Sequence, residues 1–174
     1  MPLPKRPHHA FWPARLPREL VVPRTSLWFN VEVCAQRYPD KPASLFFGRA
    51  LSFAALRRDA EALAGWLQAQ GVAKGDRVLV FMQNCPQFVT AVQAVLRADA
   101  VVVPVNPMNR IDEWVHCLVD SGAKAAIVSA DLAALVAEAD SRVTADQRLQ
   151  ALLVTRYADA MVEGEVDPAE APAA

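Results

Sequence analysis

Apolar positions along this chain change period repeatedly, and each change predicts an element. "TSLWFNVEVCAQRYP" (25–39) reads as a short amphipathic helix, capped by Thr25 or Ser26 and stopped by Pro39. "ASLFF" (43–47) follows as a strand, with Gly48-Arg49 as a turn. Ser52 then opens a long helix in which Phe53, Leu56, Ala60, Leu63 and Leu67 recur at helical spacing, and Gly71 closes it. After a turn at Gly75-Asp76, "RVLVFM" is a strand with few polar breaks. Pro86 opens the next helix, whose Phe88, Val92, Val95 and Leu96 form one stripe, and "AVVVPVN" is the strand after it. Asn109 is the expected cap of a further helix, with Asp112 three residues on. Its inner face is Ile111, Trp114, Val115, Leu118 and Val119, and Gly122 ends it. "KAAIVSA", "DLAALVAEA" (opened by Asp131) and "LQALLVT" complete the series as strand, helix and strand.

Strands alternating with helices of about a dozen residues predict an α/β fold. The expected form is a Rossmann-like three-layer domain with a mostly parallel sheet flanked by helices. Near-continuous apolar strands fit it, because a parallel sheet is covered on both faces. Each crossover is expected to be right-handed. Residues 1–25 hold Pro2, Pro4, Pro7, Pro13, Pro17 and Pro23, so they are expected to form an extended, proline-rich leader. Residues 26–156 form the α/β unit, and residues 157–174 an acidic, disordered tail.

Charge sharpens this division. The net value is −1, yet the leader carries Lys5, Arg6, Arg15, Arg18 and Arg24 against Glu19. The tail carries Asp159, Glu163, Glu165, Asp167 and Glu170 with no base, and the stretch between is balanced. A nucleic-acid binder concentrates positive charge on its folded part, so nucleic acid is excluded as a partner and both ends read as unpacked. No apolar run approaches the roughly 18 residues that cross a bilayer, so no transmembrane segment is expected. The basic, proline-rich start has no signal-peptide core, which points to a cytoplasmic protein.

Candidate chemistry is sparse. No two of Gly48, Gly65, Gly71, Gly75, Gly122 and Gly164 are spaced to cradle a phosphate, which excludes independent nucleotide binding. His8, His9 and His116 form no metal cluster. Cys34, Cys85 and Cys117 suggest no disulfide framework and read as small buried hydrophobes. Cys85 adjoins a helix start, a place that lowers a thiol pKa, but no partner base is identifiable. Ser121 and Lys124 match S-x-x-K by chance, because Gly122 ends the helix between them. Trp66 and Trp114 read as core, and Asp112-Glu113 as dipole-complementing residues of a first helical turn. Ligands gather beyond the carboxyl ends of parallel strands, so loop 106–110 is the one candidate pocket edge. Its plainer reading is that Pro104 and Pro107 end a strand and Asn109 caps a helix.

Three blocks carry a resemblance: "GRALSFAALRRDAEALAGWLQAQGVAKGDRV", "QNCPQFVTAVQAVLRADAVVVPVNP" and "LVDSGAKAAIVS". In this order and spacing, from Gly48 to about Asp131, they resemble the N-terminal subdomain of the acyl-adenylate-forming superfamily. "SLWFNVEVCAQRYPDKP" adds a likeness to the fatty-acyl-CoA ligases within that group. The resemblance implies a fragment of a larger multidomain fold, an AMP-forming acyl-CoA synthetase that activates a fatty acid as acyl-AMP and passes it to CoA. ATP, Mg²⁺ and CoA are implied for that full-length enzyme. Its Ser/Thr/Gly-rich phosphate loop, adenine segment, ribose aspartate and C-terminal lysine are not found in these residues. No catalytic, cofactor-binding or metal residue is therefore assigned, and the fragment is expected to be inactive and to bind no cofactor. Its expected partners are the rest of the parent enzyme, the carboxylic acid and CoA acting there, and a second copy joined through an exposed apolar patch. The sequence departs from the family pattern at Asp99, where glycine is usual, and at Ala55, which leaves Ser52 with half a capping box. The alternative is a stand-alone α/β binding or interaction module without catalysis.

Overall fold

A computed structural model describes residues 6–162. The first two strands, β1 (Pro42–Phe46) and β2 (Arg49–Ser52), form an antiparallel hairpin. Phe47 (φ 42°) and Gly48 (φ 76°) make its two-residue loop. Two successive positive φ values suit the right-handed twist of a hairpin. The second strand was not expected from the sequence. Its four residues run directly into Ser52, the cap of the next helix, and leave no alternation to read.

The main sheet contains β3 (Arg77–Phe81), β4 (Val101–Val105), β5 (Ala125–Ser129) and β6 (Ala151–Thr155), all parallel, in the order β4-β3-β5-β6. Alternate side chains serve opposite layers. Val78, Val80, Ala125 and Ile127 join the cluster built with α1 (Trp28–Arg37), α2 (Phe53–Ala69) and α3 (Pro86–Arg97). Leu79, Phe81, Ala126 and Val128 join that built with α4 (Ile111–Ser121) and α5 (Ala133–Ser141). Helices thus lie on both faces of a parallel sheet, the expected three-layer class. Trp114 is fully buried, its ring 6.4 Å from that of Phe81.

Several local expectations need correction. The buried face of α3 is centred on Ala91, Ala94 and Val95, with Phe88, Val92 and Leu96 only half-buried. Helices α2 and α3 pack on each other, and both offer small residues there, including Ala60 and Ala64. Val119 faces solvent, and Cys117 takes its place against the core. Pro104 does not end β4; it pairs in register with Val80. A proline missing its N–H is tolerated because β4 is an edge strand. Asn109 does not cap α4. The N-cap is Arg110, whose backbone N–H donates to Glu113 Oε2 at 2.8 Å, while Asn106 Oδ1 accepts the Met108 N–H at 3.0 Å. At α1 the capping hydroxyl is Ser26, which accepts the Phe29 N–H at 3.2 Å. Packing also continues past the expected tail boundary at residue 157, since Tyr157 and Met161 are buried in the first cluster. Residues 163–174 lie outside the described residues.

The turn from α3 to β4 explains one departure from the family pattern. Asp99 has φ 56°, and its carbonyl accepts the Gly75 N–H at 2.9 Å. A left-handed conformation costs a non-glycine residue about 1 kcal/mol relative to glycine. Asp99→Gly is therefore expected to stabilise the fold by about 1 kcal/mol, raising Tm by about 2–4 °C for a chain of this size. An unchanged or lower melting temperature would contradict the strain.

The amino ends of the strands are tied by ions. Lys124 Nζ lies 2.7 Å from Asp76 Oδ2, which also accepts the Ala73 N–H at 2.8 Å. The Lys124 hydrogen bond, and after it that of Ala73, holds the Asp76 carboxyl below its ordinary value. A carboxyl with a depressed folded pKa adds stability above its unfolded pKa and loses it as pH falls through the folded one. Melting temperature should thus fall on acidification below about pH 4 more steeply in the parent chain than in Asp76→Asn. Parallel acid limbs for the two proteins would rule this linkage out.

Candidate functional site

Two places beyond the carboxyl ends of the strands qualify by position, and the strand order separates them. Loop 106–110 follows β4 at one edge of the sheet, whereas a larger cleft lies toward β6 at the other. The loop is an ordinary turn: the Asn109 N–H donates to the Asn106 carbonyl at 2.9 Å. Beside it runs a shallow groove of about 400 Å³ bounded by Asn109, Asp112 and Arg142. Asp112 meets Arg142 Nη1 at 3.0 Å across its rim.

The larger cleft, about 670 Å³, is floored by Ile127 and Leu153 and walled by Leu63 and Trp66 of α2. Its mouth is held by the chain leaving β6. Tyr157 is buried, and its Oη accepts the Gln83 N–H at 2.9 Å. Gln87 Nε2 donates to the Arg156 carbonyl at 2.7 Å, and Arg49 Nη1 to the Asp159 carbonyl at 2.9 Å. Burial pushes the Tyr157 phenol above its ordinary value, against the lowering pull of Ser129 and Gln83, so it stays protonated. This clamp was missed in the sequence because "RYADAM" follows the last strand and precedes an acidic run. A tyrosine two residues after a strand was the only available sign.

The remaining candidates resolve into structural roles. Burial raises the Cys85 thiol pKa, more than the Phe88 and Gln87 N–H groups lower it. The helix start therefore does not activate Cys85, which sits 3.8 Å from Met82 Sδ. Ser121 Oγ donates to the Cys117 carbonyl at 2.6 Å while Lys124 holds Asp76, so S-x-x-K is no catalytic pair. His116 is exposed on α4, and no metal-binding group of three acidic, histidine or cysteine side chains occurs among the described residues. Trp114 is core, and Trp66 is half-buried, packed against the first cluster with part of its ring lining the cleft.

Whether these residues fit a nucleotide triphosphate is decided by the backbone donors near the strands' carboxyl ends. Helix α3 opens with Pro86, which offers no N–H, and the next two N–H groups, of Gln87 and Phe88, are directed at the Cys85 sulfur. Helix α4 opens with Asp112 and Glu113, which repel one, and Glu113 already holds the Arg110 N–H. Positive-φ glycines that could bring backbone close to phosphate lie elsewhere: Gly71 follows α2, Gly75 and Gly122 precede β3 and β5, and Gly48 is in the hairpin. Among the described residues, neither helix opening presents a glycine-lined phosphate cradle.

Comparison with known proteins supplies the context for such a bare scaffold. Residues 31–174 match the family model described as AMP-binding enzyme. The chain is 39% identical over 117 residues to the long-chain-fatty-acid–CoA ligase of Bacillus subtilis, covering 67% of this chain and 21% of that protein. It is 36% identical over 150 residues to the Salmonella typhimurium protein of the same name, covering 85% of this chain and 26% of that one. The crystal structure of a long-chain-fatty-acid-CoA ligase from Archaeoglobus fulgidus superposes with a TM-score of 0.68 at 25% identity, over 78% of this chain and 28% of that chain. The chain thus spans about a quarter or less of the length of these relatives.

Proposed function

This chain belongs to the AMP-binding enzyme family, and from that premise we propose that it is the N-terminal scaffold of an ATP-dependent, AMP-forming acyl-CoA ligase. The parent's reaction converts a fatty acid to its CoA thioester through acyl-AMP, with ATP, Mg²⁺ and CoA held by parts of the protein outside these residues. The observation that carries the reading is the family match over residues 31–174, combined with a span of only 21% of the Bacillus subtilis ligase. The fold supports it in two ways. Edge strand β6 leaves Leu152 and Val154 exposed, and the cleft beside it has an apolar floor and no paired nucleophile and base. These are two surfaces, one on each face of the sheet at β6, and each suits cover by more protein; burying them would contribute roughly 25 cal/mol per Å². The rest of the ligase is the proposed cover, and in its absence a second copy of the chain is.

The role of these residues in catalysis is then positional. No residue of 31–162 is assigned to catalysis, to a cofactor or to a metal. Tyr157, Gln87 and Arg49 fix the direction in which the chain leaves β6, where the catalytic segments are proposed to follow. Sequencing the coding region beyond the Ala174 codon tests the reading. An in-frame continuation carrying a Ser/Thr/Gly-rich loop with a lysine is expected. A stop codon there, with no catalytic half, would favour the stand-alone binding module instead.

A further inference from the structure

The family match begins at residue 31, which leaves the leader outside it. Among the described residues of the leader, Phe11 is 90%, Leu20 88% and Val21 89% exposed. Arg6, Arg15, Arg18 and Arg24 share the segment with one acid, Glu19, and take part in none of the ion pairs among the described residues. The segment is locally organised: Trp12 Nε1 donates to the Pro17 carbonyl at 3.1 Å, and the Trp12 ring lies 5.9 Å from that of His8. That packing engages Trp12 and leaves Phe11, Leu20 and Val21 in water.

We propose that residues 6–24 form a basic, apolar arm that binds the surface of an anionic phospholipid bilayer. Charge sets the sign of the partner, and the apolar side chains set its kind. Basic residues alone would also suit a nucleic-acid backbone, but large apolar groups interleaved with them are solvated by a bilayer interface and not by phosphates. Pro7, Pro13, Pro17 and Pro23 remove backbone donors, so adding a regular strand to a partner sheet is a poor alternative. A bilayer demands no fixed backbone register. Each base near such a surface strengthens binding, and the contribution falls away within a Debye length, so salt weakens it. This inference stands independently of the ligase reading, since it uses residues that the family match omits.

Flotation of the chain with vesicles tests it, comparing phosphatidylcholine alone with phosphatidylcholine mixed with phosphatidylglycerol. Binding is expected on the anionic vesicles only, and is expected to be lost at high salt. The triple variant Arg15→Glu/Arg18→Glu/Arg24→Glu should lower partitioning at least tenfold, and Phe11→Ser/Leu20→Ser/Val21→Ser should do likewise. These side chains are outside both core clusters, so unchanged thermal melting of the variants is expected and separates lost binding from lost fold. Three results would overturn the proposal: no flotation with anionic vesicles, flotation that both variants retain, or variants that change only the dimerisation of the chain.

Discussion

Supplied with ATP, Mg²⁺, CoA and a long-chain fatty acid, the 174-residue chain is expected to form no acyl-CoA above the rate without protein. Enzymes of ordinary efficiency accelerate their reactions at least about a millionfold, and most of that comes from fixed donors and cations aimed at developing charge. The two helix openings near the carboxyl ends of the strands offer a proline and a pair of carboxylates. The left-handed glycines lie away from that end, and the polar groups around the cleft's apolar floor are engaged elsewhere: Arg58 with Asp59, Arg49 with the Asp159 carbonyl and Gln87 with the Arg156 carbonyl. The same assay on the protein encoded by the extended reading frame is expected to give product. Acyl-CoA made by the short chain, abolished by a substitution within it, would mean that the catalytic groups lie among these residues after all.

The largest expected effect on stability is at Trp114, the largest fully buried side chain. Replacing it with alanine removes a ring that lies beside Phe81 in the second core cluster, to which Leu118 and Val136 also belong. Deletions of this kind cost about 3–5 kcal/mol, because the lost transfer energy is joined by a cavity that neighbours fill only in part. Against a total of about 5–15 kcal/mol for a typical domain, Trp114→Ala would leave much of the population unfolded at physiological temperature. Trp114→Phe should cost far less: it keeps an aromatic ring and removes an indole N–H that has no hydrogen-bond partner. Urea denaturation measures both. Equal midpoints for the two variants would show that the cavity does not govern the loss.

Much of the fold was legible because parallel strands and their covering helices have distinct periods. β5, buried from end to end, and β3, buried after Arg77, were read from their apolar runs, and Gly71 and Gly122 marked helix ends by the φ they require. What was not legible depended on neighbours. The stripe on α3 shifted toward alanines because α2 lies against it, which no pattern within α3 reports. Pro104 read as a strand end because its tolerance rests on β4 being at the edge, a fact of strand order. The cap of α4 moved by one residue because the Glu113 carboxylate reaches back to the Arg110 N–H while Asn106 closes its own turn. Candidate chemistry behaved likewise. That Ser121 and Lys124 are not a pair was readable from Gly122 between them, but the fixing of Tyr157 by Gln83 spans 74 residues and left no local trace.

Titration of the purified chain with Mg·ATP by calorimetry puts the central question most directly. If the described residues are a framework whose nucleotide groups reside elsewhere in the parent ligase, heats should remain those of dilution up to millimolar ATP. A saturable, one-to-one isotherm that disappears on substitution of a residue within 31–162 would contradict it.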